Sequence, residues 1–173
     1  QILLKQNMNK SLILFFILIT IFSCKAEKST IKNSNKLPKN INKEVVHDLS
    51  HIFNVSEAKI LVNKIVNYEK SSTNEIAILI VDSISPYTDI QKFGTDIANL
   101  WGVGKKDINN GLLIVLCNPC RKVSINTGFS TQKIITDSIS KTIIDSTMVP
   151  SFRKNEYFKG INNALDSIIK KWH

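Results

Sequence analysis

The chain has 173 residues and a formal net charge of +9, which would suit a nucleic-acid or anionic partner if the basic residues formed one folded surface. They are unevenly spread, because residues 25–44 hold six lysines against two glutamates, whereas residues 45–173 carry fifteen basic and twelve acidic side chains. The latter segment shows no basic face interleaved with aromatic residues, so nucleic acid is excluded as a partner. Its length of about 130 residues suits one domain with a buried core.

The N-terminal segment predicts export. Lys10 precedes an apolar run from Leu12 to Phe22, which is shorter than the roughly 20 residues that a membrane-spanning helix needs. The run has the form of the apolar region of a signal peptide, which we expect over residues 1–23. Met8 reads as the natural start, so residues 1–7 are expected to be an upstream translation artefact or a fragment end.

A cysteine at the end of this segment predicts a lipid anchor. Residues 21–24, Ile-Phe-Ser-Cys, resemble a bacterial lipobox, so we expect cleavage before Cys24 and attachment of membrane lipid to that residue. Phe22 is bulkier than the small residue usual there, and an uncleaved signal anchor is the alternative. Residues 24–44, rich in Lys, Asn and Ser, are predicted to form a disordered tether. The domain, residues 45–173, is therefore expected in the cell envelope, facing the periplasm or the exterior.

The domain is predicted to alternate helices with short apolar strands, after an approach loop that contains His47, Asp48 and His51. In chain order we expect a helix from Asn54 or Ser56, a strand over 76–81, a helix opened by Ser85-Pro86, strands over 112–117 and 122–128, and helices over about 132–148 and 157–171. More than 20 residues, including a helix, connect the first two strands, which should therefore be parallel. Only a short turn precedes the third strand, which should be antiparallel. The predicted fold class is α/β, a three-layer α/β/α sandwich around a small mixed sheet.

This topology gathers oxygen-bearing groups at one edge of the sheet. The turn that enters the second strand, residues 107–111, should lie beside Gly128, where the third strand ends. Hard oxygen ligands of the kind that Ca²⁺ or Mg²⁺ takes are expected there: Asp107, Asn109, Asn110, Asp137 and carbonyls around Gly104 and Gly128, with Asp48 as a further candidate. The alternative is structural, since Asn and Gly adopt positive φ in turns and Asp caps helices.

Two further pairs of residues, each of a type that can bind metal, are not expected to form a metal site. Cys117 and Cys120 form a CxxC sequence that in a thioredoxin-like site would open a helix. Here a strand follows, so a disulfide that closes the hairpin turn outside the cytoplasm is expected rather than redox catalysis. Zinc would need two more ligands, and the four-residue spacing of His47 and His51 suits a metal only on a helix.

An ordered set of motifs resembles a known family. The set comprises WGVG at 101–104, NNG at 109–111, an apolar strand, Arg121 and GF at 128–129, flanked by VHD at 46–48, SE at 56–57, ITD at 135–137, PSF at 150–152, Tyr157 and Gly160. It resembles the TPM domain, found in bacterial envelope proteins and in a chloroplast lumen protein reported to have acid phosphatase activity, over roughly residues 45–170.

The resemblance implies two functions. One is a non-catalytic module that binds a membrane-protein partner, because the family occurs in accessory subunits of membrane complexes. The other is a hydrolase of phosphate esters that uses a divalent metal. Family members commonly carry a glutamate where this chain has Gln132, which implies a weaker divalent site and favours the binding module.

Overall fold

The computed structural model describes residues 37–172, which fold around one four-stranded sheet with helices on both faces. The strands are β1 (Val46–Asp48), β2 (Glu75–Val81), β3 (Gly111–Cys117) and β4 (Lys122–Thr127). The helices are α1 (Val55–Ser72), α2 (Ile90–Trp101), α3 (Phe129–Gln132), α4 (Asp137–Ile143), a π-helical segment (Ile144–Met148), α5 (Val149–Phe152) and α6 (Tyr157–Lys171). The strands lie in the order β1-β2-β3-β4. β1, β2 and β3 are parallel, whereas β4 is antiparallel to β3.

The two central strands are buried on both faces, which explains their continuous apolar sequences. Alternate residues of β2 point to opposite sides, so that Ile78 packs with α1 and α6 while Leu79 packs with α2. Both side chains are fully buried. The predicted three-layer α/β/α fold and the predicted directions of the three longer strands are therefore confirmed.

The segment that contains Val46 and Asp48 forms strand β1, so the prediction of an approach loop was wrong here. Val46 pairs with Ile78 and Asp48 with Ile80 in a parallel ladder. A three-residue strand is too short to show an alternating pattern, and only its pairing with β2 defines it. The helix that follows was predicted correctly, because Asn54 caps α1 and forms a reciprocal capping box with Glu57.

Residues 37–44, which the sequence assigned to the tether, lie against the domain. Leu37 is buried in the cluster around α2, and the indole Nε1 of Trp101 donates a hydrogen bond to the carbonyl of Pro38 (2.8 Å). The predicted signal peptide, the predicted lipidation site Cys24 and the first part of the predicted tether lie outside the described residues. Between residues 37 and 172, none of the helices has the length and apolar character needed to cross a bilayer.

The long helix predicted over residues 132–148 is divided in the structure. Helix α3 ends at Gln132, and α4 begins after Thr136, whose hydroxyl accepts a hydrogen bond from the amide of Ile139 (3.3 Å). Ile135, which lies between the two helices, is fully buried in the core beneath α1 and α6. Helix α3 is thereby held as a separate turn at the end of β4, where it forms part of the surface described next.

Candidate functional site

The turn that enters β3 and the helix that follows β4 meet at one edge of the sheet, as predicted. The amide of Gly128 donates to the carbonyl of Gly111 (2.8 Å), and the amide of Ser130 donates to the carbonyl of Asn109 (3.2 Å). A Cβ atom at Gly128 would lie 2.3 Å from the carbonyl oxygen of Asn109, so only glycine permits this approach. We call this surface the β3 rim and define it as residues 104–111 and 128–137.

Asn110 holds the β3 rim to the end of α1. Its side chain is buried. The Oδ1 atom accepts a hydrogen bond from the amide of Lys105 (2.9 Å), and Nδ2 donates to the carbonyl of Thr73 (2.8 Å) and to Oδ1 of Asn74 (3.3 Å). Both ends of the amide are therefore engaged in the fold, which is the structural role that the sequence left as the alternative to metal binding.

The carboxylates of Asp107 and Asp137 are exposed. Oδ1 of Asp137 accepts a hydrogen bond from Nε2 of Gln132 (3.2 Å). Gln132 stands where family members commonly carry a glutamate, and it is thus paired with Asp137, a predicted metal ligand. Asn109 is exposed and adopts a left-handed conformation with φ of 55°, which asparagine tolerates better than most residues. Its carbonyl is the acceptor for Ser130, so Asn109 has the turn role that the sequence left as the alternative to metal binding.

Asp48 lies at the opposite edge of the sheet. It pairs with Ile80, whereas β3 begins opposite Glu75, and five strand residues at about 3.3 Å each correspond to a separation of about 17 Å. Its Oδ2 atom accepts a hydrogen bond from the amide of Phe53 (2.9 Å) and shapes the loop before α1. The four predicted metal ligands therefore do not form one site, because the parallel pairing of β1 places the end of that strand away from the β3 rim.

Glu75 is a carboxylate near the β3 rim that sequence reasoning missed. Its Oε2 atom accepts a hydrogen bond from the amide of Gly104 (2.8 Å). In the sequence, Glu75 is marked only by being an acidic residue at the start of an apolar strand. Its partner Gly104 is 29 positions away, so sequence reasoning could not place the two together. Within residues 37–172, no three side chains of His, Cys, Asp or Glu are grouped closely enough to hold a metal ion.

The β3 rim also exposes large apolar side chains. Ile108 is 48% exposed, Phe129 70% and Ile134 42%. The hydroxyl of Ser130 donates to the carbonyl of Ile108, and the Lys133 ammonium lies 5.0 Å from the centre of the Phe129 ring. Exposed large apolar side chains at one site are typical of protein interaction surfaces, although other apolar side chains, such as Val55 and Ile60 on α1, are also exposed.

His47 and His51 do not belong to the β3 rim. His47 is in β1, where its Nδ1 lies 2.8 Å from Oε2 of Glu44 and its ring contacts the edge of Trp101 at 5.5 Å. The hydrogen bond from His47, with a weaker one from Asn42, holds the pKa of the Glu44 carboxyl below its ordinary value. His47 thus packs residues 42–44 against α2, and His51 is exposed in the following loop.

A disulfide joins Cys117 to Cys120 at the opposite end of β3, with their Cα atoms 5.2 Å apart. It closes the turn between β3 and β4, where the sequence predicted such a bond. Arg121 completes this turn in a left-handed conformation with φ of 52°, and its amide donates to the carbonyl of Asn118 (3.0 Å).

The fold resembles several solved structures. The N-terminal domain of a protein from P. gingivalis has 26% sequence identity and a TM-score of 0.68, with 74% of this chain and 81% of that chain covered. The N-terminal domain of the cg2496 protein from Corynebacterium glutamicum has 14% identity and a TM-score of 0.60, with 79% and 84% covered. The BA42 protein from the psychrophilic bacterium Bizionia argentinensis has 17% identity and a TM-score of 0.60, with 73% and 89% covered.

A comparison with curated proteins finds no match. The family model of the TPM domain matches residues 46–171, a span that begins with β1 and ends with the last residue of α6. It includes every motif on which the resemblance rested, and it agrees with the observed fold from the first strand to the last helix. The chain therefore belongs to the TPM domain family.

Proposed function

We propose that this protein is a membrane-tethered, extracytoplasmic binding module that docks onto a membrane-protein partner through the β3 rim. The observation that supports this proposal is the exposure of Ile108, Phe129 and Ile134 around one turn and one short helix. Burying these three side chains against a partner would remove apolar surface from water, which is the main favourable term in most protein association. Exposed Lys105, Lys106 and Lys133 lie among them in the sequence and supply the polar margin that such interfaces have.

The polar groups of the β3 rim support binding rather than catalysis. A serine nucleophile needs a neighbouring base to take its proton, but the Ser130 hydroxyl donates to the main-chain carbonyl of Ile108. The amide of Asn110 is consumed by three hydrogen bonds within the fold. These contacts fix the shape of the β3 rim, which is what a docking surface requires.

The proposed anchor suits this role. Lipid on Cys24 would attach the chain to the membrane, and residues 25–36 could extend at most about 40 Å. A domain on such a tether stays close to membrane proteins without being fixed to one of them, and the short reach raises the effective concentration of the β3 rim near a partner.

A Ca²⁺ or Mg²⁺ ion at the β3 rim stays a prediction within this proposal. The exposed carboxylates of Asp107 and Asp137 are its candidate ligands, whereas Asp48 is too far away and Asn110 is engaged in the fold. The hydrolase alternative would need this ion to polarise a phosphoryl oxygen. Calcium-dependent turnover of a phosphate ester by the wild-type chain would favour that alternative over the binding module.

The test is site-specific photo-crosslinking in the native cell envelope. A photoreactive amino acid at position 129 should crosslink the full chain to one discrete membrane protein, while the same group at exposed Lys59 on α1 should not. An Ile108→Ser substitution should lower the yield from position 129 without changing the amount of protein. Equal crosslinking from positions 129 and 59, or an unchanged yield with Ile108→Ser, would contradict the proposal.

A further inference from the structure

A cavity of about 540 Å³ lies at the opposite edge of the sheet from the β3 rim. The turn between β3 and β4 forms one wall, and the connection between α5 and α6 forms the other. Its principal lining residues are Arg121, Lys122, Val123, Phe152, Arg153 and Tyr157. The volume is within the range of small-molecule sites, and the carboxyl ends of parallel strands are where open α/β sheets usually bind ligands.

The cavity is cationic, and two of its charges are free. Of the described residues that line it, three are basic and none is acidic. Lys122 directs its ammonium to the carbonyl of Thr88 (2.6 Å), so it contributes mainly its aliphatic stem. Over residues 37–172, the guanidinium groups of Arg121 and Arg153 have no hydrogen-bond or ion-pair partner. An Arg side chain carries five N–H donors, and these two therefore need an external acceptor, water or a ligand.

Helix α6 begins at the wall of the cavity with Tyr157. No side chain caps this end, and the carboxylate of the preceding Glu156 is paired with Lys159 (3.0 Å). The first turn of the 15-residue helix thus leaves main-chain N–H groups without side-chain acceptors, and the helix dipole adds positive potential there. Both features favour an anion at the same end of the cavity as Arg153.

The backbone that presents these groups is fixed. Arg121 has a positive φ of 52°, which is uncommon for a side chain of its type, whereas Asn155, with φ of 59°, is a residue that tolerates this conformation; both line the cavity. The disulfide closes the turn just before Arg121. Such conformations persist only where the surrounding structure holds them, and they are frequent at ligand sites.

We propose that this cavity binds a small organic oxyanion, a molecule whose carboxylate or phosphate group is held between Arg121 and Arg153. The planar guanidinium matches either group with two parallel hydrogen bonds. Phe152 and Tyr157, whose ring centres are 5.4 Å apart, supply an apolar wall for the organic part. A second cavity of about 280 Å³ shares Asn155 and Tyr157 with the first and is also lined by two acidic residues, Glu57 and Glu156, so the oxyanion is assigned to the first cavity alone.

The test compares three probes on the full chain in detergent: inorganic phosphate, phenyl phosphate and benzoate. Amide shifts followed by NMR titration should move at residues 118–121 and 155–157. The double variant Arg121→Asn, Arg153→Gln should weaken binding at least tenfold, because each substitution removes charge-assisted hydrogen bonds. Asparagine at position 121 accepts the left-handed backbone. The matched control is Lys154→Gln, which removes one exposed charge beside Arg153 but does not line the cavity.

The ranking of the probes identifies the ligand. Tighter binding of phenyl phosphate than of benzoate assigns a phosphate ligand, and the reverse order assigns a carboxylate. Any of three results would overturn the proposal. The first is that inorganic phosphate binds as tightly as both organic probes; the second is that the amides of residues 118–121 and 155–157 do not shift up to 10 mM probe; the third is that the Lys154→Gln control loses as much affinity as the double variant. Because the cavity and the β3 rim lie at opposite edges, this result is independent of the crosslinking test.

Discussion

Gly94 is a position where one added methyl group should measurably destabilise the fold. It lies in the middle of α2, facing β4. A Cβ atom there would meet the Asn126 side chain, at 2.1 Å from Nδ2, 2.6 Å from Cγ and 2.8 Å from Oδ1. Asn126 is buried and cannot move to solvent. Its Nδ2 donates to the hydroxyl of Ser124 (2.9 Å) and, more weakly, to the carbonyl of Leu113 (3.4 Å).

Two destabilising terms and one stabilising term set the change in the free energy of unfolding expected for Gly94→Ala. Overpacking a filled interior costs about 1–3 kcal/mol, and displacing Asn126 from its shorter hydrogen bond costs about 1 kcal/mol more. The higher helix propensity of alanine returns about 1 kcal/mol. We therefore expect the free energy of unfolding to fall by about 2 kcal/mol, which corresponds to a Tm lower by roughly 5–10 °C in a domain of this size.

Thermal unfolding followed by circular dichroism measures this change. The matched control is Thr95→Ala, one position along the same helix on its exposed side, which should change the free energy of unfolding by less than about 0.5 kcal/mol. In an Asn126→Ala background the clash is absent, so Gly94→Ala should become neutral or stabilising. A Gly94→Ala protein with an unchanged or higher Tm would refute the close approach of α2 to β4.

Three further predictions concern individual side chains. Asn110→Asp should lower the free energy of unfolding, measured in urea, by about 1–3 kcal/mol. The reason is that a charged acceptor replaces the amide nitrogen that donates to the Thr73 carbonyl and to Oδ1 of Asn74. A stable variant with higher calcium affinity would instead make position 110 a ligand. Burial and a hydrogen bond to Asp96 raise the pKa of Tyr87 to about 12, so stability should fall as the pH rises from about 10 to 12, where the unfolded chain loses the proton and the folded chain keeps it. Tyr87→Phe should remove that part of the pH dependence. Calorimetric titration of the wild type with Ca²⁺ should show binding that Asp107→Asn with Asp137→Asn abolishes, and an unchanged affinity in this double variant would eliminate the rim carboxylates as ligands.

The sequence by itself determined the fold class and the convergence at the β3 rim. Connection lengths decide strand direction, since a crossover that contains a helix makes neighbouring strands parallel and a tight turn makes them antiparallel. Continuous apolar runs marked β2 and β3 because both faces of these strands are covered. The family was evident for a related reason, since its motifs lie in turns where glycine or asparagine is required for close approach, such as Gly128.

Only the tertiary structure decided the pairing of β1, the burial of Leu37 and the formation of the cavity. β1 is three residues long and exists because β2 supplies its hydrogen-bond partners, and this pairing moved Asp48 away from the β3 rim. Leu37 is buried only because α2 leaves an apolar surface beside Trp101. The cavity joins Arg121 to Arg153 across 32 positions of sequence. Local patterns fix local structure, whereas contacts between distant segments depend on which surfaces the folded elements leave uncovered.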